Sequence, residues 1–180
     1  MIDVHVLVHE GTTQYQLERC LNSLRGEPCN VQVVENANAS VGAGRAKGYS
    51  AGVAPLVSYI DSDDELLPGT YRAVLDALEQ RRSVVTMEEV VTEATGFVCP
   101  QKRPMHAVVG FRREDVEPLI PYMEATPWCV DVLMRRTLAP VQLDITGVRA
   151  YYRPGTARQR VTREQMNYEE TIWPTRTTPQ

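Results

Sequence analysis

Apolar and polar positions along the first half of the chain change period in a regular order. Ile2-Asp3-Val4-His5-Val6-Leu7-Val8 alternates from the start and predicts a strand over residues 2–9. Tyr15, Leu17, Cys20, Leu21 and Leu24 then recur close to helical spacing, predicting a helix over 14–25 that Gly26 and Pro28 stop. Val31-Gln32-Val33-Val34 predicts a second strand. Residues 42–52 are rich in Gly and Ala and predict a helix packed tightly against a sheet. The short apolar run Pro55-Leu56-Val57-Ser58-Tyr59-Ile60 predicts a third, buried strand. Tyr71, Val74, Leu75 and Leu78 form the apolar face of a helix over 69–80.

Strand and helix thus alternate three times. That order implies an α/β fold with a mostly parallel central sheet flanked by helices. The second half is less regular. Residues 83–99 alternate around Glu88-Glu89 and predict strands, as does Met105 to Phe111. Residues 114–124 and 128–138 predict helices, the first interrupted by Pro118 and Pro121. Residues 141–153 are strand-like. A domain over 1–160 followed by a polar C-terminal tail over 161–180 is the expected organisation. No internal repeat or low-complexity linker interrupts it.

Composition narrows the class. A chain of 180 residues with 43% apolar content fits one globular domain with a sizeable core. No apolar stretch approaches the roughly 18 residues of a membrane span. The first residues lack the basic segment of a signal peptide, so a soluble, cytoplasmic protein is expected. Cys20, Cys29, Cys99 and Cys129 form no C-x-x-C pair and fit no zinc module; free thiols are expected. His5, His9 and His106 are too scattered for a metal cluster. The formal charge of −4 is uneven: residues 1–99 carry −7 and residues 100–180 carry +3. Arg149, Arg153, Arg158, Arg160 and Arg163 fall in a stretch without acids, which reads either as a solvated basic face or as a contact for phosphorylated ligands or nucleic acid.

The candidate chemistry sits at Asp61-Ser62-Asp63-Asp64, directly after the third strand. Three carboxylates crowded where solvent is excluded repel one another, and a divalent cation would relieve that. Oxygen ligands suit a hard ion, Mg²⁺ or Mn²⁺, of the kind that holds substrate phosphates. The competing reading is a solvated turn whose acids cap the next helix, since Leu66-Leu67-Pro68-Gly69 follows. Position favours the first. His9-Glu10, Glu35-Asn36 and Asp61 to Asp64 all lie beyond the carboxyl ends of predicted strands, where open parallel sheets bind ligands.

Several segments in this order resemble the inverting family 2 glycosyltransferases of the GT-A fold, over about Val4 to Arg160. Leu17-Glu18-Arg19-Cys20-Leu21-Asn22-Ser23-Leu24 is similar to that family's first helix. Val33-Val34-Glu35-Asn36 stands where the family has a strand ending in acids. Gly44-Arg45-Ala46-Lys47-Gly48 is similar to its Ala-Arg-Asn-x-Gly segment. Ser58 to Gly69 is similar to its D-x-D signature with a downstream Leu-x-Pro. Gly110-Phe111-Arg112-Arg113-Glu114 resembles its strand ending in paired arginines, and Trp128 to Arg136 its Trp…Glu-Asp…Leu…Arg helix.

The resemblance implies a nucleotide-sugar donor, a metal-assisted transfer with inversion, and a GT-A (Rossmann-like) domain. It implies that Asp63, with Asp61, holds Mn²⁺ or Mg²⁺, and that Asp61 also contacts the ribose. It places Glu10, Glu35 and Asn36 at the base and ribose, and Arg45 and Lys47 facing the nucleotide. Asp131 would be the general base on the acceptor hydroxyl; its other reading is an acid favoured by a helix N-terminus. The acceptor stays open between a polysaccharide, a protein, a metabolite and a modified nucleic-acid base. Two other readings also stay open. One is a non-catalytic sugar- or nucleotide-binding protein, because His9-Glu10-Gly11-Thr12 stands where the family has Pro-x-x-Asn and Val130 where it has an acid. The other is a sugar-1-phosphate nucleotidyltransferase, although the Gly-Arg-Lys cluster here follows the second strand rather than the first.

Overall fold

The computed structural model describes residues 1–36, 39–92, 95–101, 107–152 and 163–173. The predicted strands and helices of the first half form as β1 (Ile2–Val8), α1 (Gln14–Ser23), β2 (Cys29–Glu35), α2 (Val41–Ser50), β3 (Leu56–Asp61) and α3 (Thr70–Leu78). Local chemistry explains their bounds. Thr13 and Gln16 make a reciprocal capping box at the start of α1, and Ser40 accepts the Ala43 N–H at the start of α2. Gly26 and Gly69 take φ near +80°, turning the chain after α1 and before α3.

The second half adds β4 (Glu65–Leu66), β5 (Ser83–Thr92), β6 (Phe97–Gln101), β7 (Val109–Arg112) and β8 (Val141–Tyr152). The helix expected over 114–124 is broken. It divides into α4 (Arg113–Val116), a 3₁₀ turn over Glu117–Leu119 and α5 (Ile120–Ala125). Pro118 and Pro121 lack the N–H that a continuous helix needs. α6 (Val130–Leu138) follows, and α7 (Arg163–Ile172) is a helix where a polar tail was expected. Of the expected strand over Met105–Phe111, the segment before residue 107 lies outside the described residues. So do His106, the Cys99 side chain, and Arg153, Arg158 and Arg160 of the basic stretch.

The strands form one sheet in the order β2-β1-β3-β7-β5-β8-β4, with β6 on β5. The α/β architecture with a mostly parallel central sheet is as expected, and antiparallel strands make that sheet a mixed one. β1 pairs parallel with β2 and β3, and β5 with β8. β7 enters antiparallel to both β3 and β5, and β6 and β4 pair antiparallel at the far side. An apolar run specifies a buried strand but not its direction, so the sequence pattern could not distinguish these arrangements.

Helices cover both faces. Cys20 and Leu24 of α1 and Tyr71, Val74 and Leu78 of α3 pack with Val4, Val6 and Ile60 on one face. On the other, Ala46 and Tyr49 of α2, Met123 of α5 and Leu133 and Met134 of α6 pack with Val57 and Tyr59. Arg113 pins the amino-terminal end of the sheet. It donates to the carbonyls of Tyr49, Ala51 and Ala54 and pairs with buried Asp3 at 2.7 Å. The carboxyl ends of β1, β2 and β3 are therefore left for the site.

The small residues of α2 let it lie unusually close to its neighbours. A Cβ on Gly44 would stand 2.5 Å from Leu7 Cδ1, and one on Gly48 would stand 2.3 Å from the His5 ring. A Cβ on Gly42 would meet the backbone carbonyl oxygens of Thr126 at 1.9 Å and Met123 at 2.2 Å. Gly→Ala inside a helix ordinarily stabilises by roughly 1 kcal/mol. At Gly42 the sign should reverse, because backbone cannot swing aside as a side chain can. Gly42→Ala is expected to cost about 1–3 kcal/mol of overpacking, read as a lower urea midpoint; an unchanged or raised midpoint would contradict the close α2–α5 approach.

Candidate functional site

Arg45 is the organising residue. It projects from the middle of α2 into the interior and is only 1% exposed. Its Nη2 donates to Asp61 Oδ1 at 2.5 Å, at the tip of β3. Its Nε and Nη2 donate to Asp131 Oδ1 and Oδ2 at 3.1 and 3.3 Å, in the first turn of α6. The guanidinium lies 3.7 Å over the Tyr59 ring. Burial opposes its charge, but Asp131 and then Asp61 outweigh that and raise its pKa above the ordinary value. Arg45 is a fixed cation at every relevant pH.

The floor beneath it is aromatic and polar. His5 meets Tyr49 edge-on with ring centroids 4.6 Å apart, and Tyr59 lies tilted at 5.9 Å. Burial, then the Arg45 charge, holds His5 well below its usual pKa, so it is neutral. Burial pushes the Tyr59 phenol up to about 12, Asp131 adding to the effect. The Tyr59 hydroxyl accepts from Arg135, one helical turn after Asp131, at 3.0 Å.

The acidic tetrad is a turn, closed by the Asp64 N–H on the Asp61 carbonyl at 3.0 Å. Ser62 and Asp64 are buried, while Asp61 and Asp63 are partly exposed. The β1–α1 turn is tied to it: Thr12 Oγ1 and Ser62 Oγ lie 2.8 Å apart, and His9 Nδ1 accepts the Gly11 N–H. Arg19 of α1 donates to the Asp63 carbonyl at 2.6 Å and lies 3.5 Å over the Tyr151 ring.

Three of the expected site residues, Arg45, Asp61 and Asp131, are thus in direct contact. The others stand apart from that contact. Asn36 is buried and spends its amide on the Ala39 and Ser40 carbonyls, holding the entry to α2. Glu35 pairs in register with Val8, whereas Asp61 pairs with Leu7. Successive strand residues face opposite ways, so Glu35 points to the other side of the sheet from Asp61 and is exposed. Lys47 is exposed, with its Nζ 3.5 Å from the Glu35 carbonyl oxygen. Glu10 is exposed at the tip of the β1–α1 turn. Arg149, from the basic stretch, is neutralised: it donates to Glu89 at 2.5 Å and lies 3.5 Å from Glu65, which also accepts from Tyr151.

Sequence reading missed Tyr59, Arg135 and His5. The four-residue spacing of Asp131 and Arg135 was a legible signal; the other two are ordinary strand residues until α2 lands on them. Among the described residues no three His, Cys, Asp or Glu side chains converge to hold a metal. Asp61 and Asp63 supply hard oxygens, with Asp61 already engaged by Arg45. Two carboxylates of this kind suit an ion that arrives with diphosphate oxygens rather than one caged by protein alone. Nη1 of Arg45 is buried and has no hydrogen-bond partner among the described residues.

No protein-family model and no curated protein matches the sequence. Solved structures do match. Residues 1–349 of S. aureus TarS in complex with UDP superpose with a TM-score of 0.64 at 13% identity, over 95% of this chain and 63% of that one. The complex of the same TarS segment with UDP-GlcNAc gives 0.63 at 14%, over 95% and 66%. GalNAc-T7 with UDP, GalNAc and Mn²⁺ gives 0.65 at 11%, over 95% and 48%. The fold is that of the GT-A glycosyltransferases. The chain spans less than two thirds of each of these neighbours, and 36% of the longer TarS chain. Among the described residues no helix is long and apolar enough to cross a membrane.

His5 makes the core beneath the site sensitive to pH. In the unfolded chain it titrates near 6.5, and in the folded protein well below. As pH falls through 6.5 the unfolded chain binds the proton first, so stability present above 6.5 is lost on the acid side. The slope should reach about 1.4 kcal/mol per pH unit. Urea unfolding at pH 7.0, 6.0 and 5.5 should show this loss, and His5→Leu should flatten it. The same slope in His5→Leu would assign it to another group.

Proposed function

We propose that the chain is a glycosyltransferase domain that moves a sugar from a nucleotide-diphosphate donor to an acceptor hydroxyl with inversion. One observation carries the reading most directly. Buried Arg45 holds the first D-x-D carboxylate, Asp61, and the acceptor-side carboxylate, Asp131, on one guanidinium. This lies at the strand ends of a fold whose neighbours were crystallised with UDP, with UDP-GlcNAc, and with UDP, GalNAc and Mn²⁺. A single carboxylate presented on the acceptor side is what an inverting displacement needs.

In this reading Asp131 accepts the proton of the acceptor hydroxyl as that oxygen attacks the anomeric carbon. Arg45 fixes the rotamer of Asp131 by two hydrogen bonds. Asp63 and Asp61 would hold Mn²⁺ or Mg²⁺ together with the diphosphate. Bound there, the ion would neutralise charge developing on the departing nucleoside diphosphate. Glu10, Lys47 and Glu35 would act only at the rim. A second reading, a non-catalytic nucleotide-sugar-binding protein, is favoured by Asp61 and both oxygens of Asp131 being already engaged by Arg45.

Two measurements separate these. UDP with Mn²⁺ should raise the melting temperature; saturation at a hundred times Kd corresponds to about 2.7 kcal/mol. Asp63→Asn should abolish the Mn²⁺-dependent part, and its persistence would remove Asp63 from the metal. Asp131→Asn should keep the UDP shift but lose about 10²–10⁴ in transfer, or in hydrolysis of the donor where no acceptor is supplied. Normal turnover in that variant would exclude Asp131 as base. Binding without any turnover in the unmodified protein would favour the second reading.

A further inference from the structure

α6 begins without a cap of its own. Its N-cap residue, Cys129, makes no side-chain capping bond. The N–H group of the N-cap and the one before it are met from α7. Glu169, 1% exposed, accepts the Trp128 N–H at 3.1 Å and the Cys129 N–H at 2.7 Å. A carboxylate placed at a helix start also complements the positive end of the helix. At the other end of α6, Trp173 Nε1 donates to Thr137 Oγ1 at 2.7 Å. The indole is buried and lies against Tyr122 of α5, ring centroids 6.5 Å apart. α7 and the residue that follows it therefore hold α6 at both ends.

That arrangement has a chemical consequence. Glu169 takes the N–H groups of Trp128 and of the N-cap Cys129, which fixes where the first turn of α6 starts, and Asp131 in that turn is bonded to Arg45. We propose that Glu169 is the positioning residue of the site. By capping α6 from α7 it holds Asp131 in register against Arg45. The catalytic part of this proposal rests on the transferase reading; the positioning part does not.

The test reads the Arg45 Nε–H resonance in ¹⁵N-labelled protein, assigned by its loss in Arg45→Lys. Asp131→Asn marks how that resonance moves when its acceptor is changed. Glu169→Ala should shift it the same way and speed its exchange with solvent at least tenfold, together with the Trp128 and Cys129 amides. Glu169→Gln, which keeps one acceptor oxygen, should lie between. If the two amides exchange faster while the Arg45 resonance stays unchanged, Glu169 is a cap and nothing more. Unchanged amides would refute the contact itself, and loss of folding in both variants would make Glu169 a stability residue. The activity arm is separate: Glu169→Gln should lower kcat for donor turnover about tenfold and leave the donor KM within twofold. A proportionate change in both would overturn the positioning role. An unmodified protein that turns over no nucleotide-sugar would sink the transferase reading, while the Arg45 resonance would still decide the positioning.

Discussion

A cation sealed inside the molecule is the constraint on which the rest depends. Moving a charge out of water costs several kcal/mol even after the protein relaxes around it, unless partners replace the lost hydration. Arg45, on α2, finds those partners at two places far apart in the chain: Asp61 and the face of Tyr59 on β3, and Asp131 at the start of α6. The ion pair therefore restrains the relative placement of α2, β3 and α6, and a displaced helix would leave a buried charge short of partners. Arginine suits the position because its planar fork serves two carboxylates while its face stacks on an aromatic ring.

Reaching that position requires α2 to lie almost on the sheet. Gly42, Gly44 and Gly48 remove the side chains that would hold it away, and the facing surfaces are the α5 carbonyls, Leu7 and Asn36, and the His5 ring. Close packing then buries His5 beside the guanidinium, where neutrality is its only economical state. The same approach explains why Asn36 serves structure: its amide closes the loop that delivers α2 to the sheet. Geometry and electrostatics at the site are one problem, solved by a helix with few side chains on its inner face.

The site sits at the open ends of β1 and β3, and the rest of the chain supports it from two sides. At the amino-terminal end of the sheet Arg113 ties Asp3 to the loop after α2. On α6, Glu169 of α7 and Trp173 just after α7 supply a carboxylate and an indole that hold that helix. The likeness to TarS and GalNAc-T7 extends over 95% of this chain, and those proteins are longer. Within this chain the sheet, the acidic turn and α6 form the frame on which the proposed chemistry rests.

Much of this was legible in the residues. Alternation in Ile2–Val8, the apolar run before Asp61 and the helical spacing of Tyr71, Val74 and Leu78 determine strand and helix locally, because they express periods of 2 and 3.6 within a few residues. The small residues of 42–48 announced a close helix, and the acids at Asp61–Asp64 were placed at a strand tip by sequence order alone. Tertiary structure alone decided the remainder. β7 could run either way beside β3, since burial on both faces leaves no mark of direction. Glu35 and Asp61 end neighbouring strands in the sequence pattern, yet a one-residue offset in register turns them to opposite faces. Glu169 lies on a polar segment some forty residues from the N–H groups it caps. Local rules reach about one helical turn; which buried charge meets which carboxylate is decided by packing between elements.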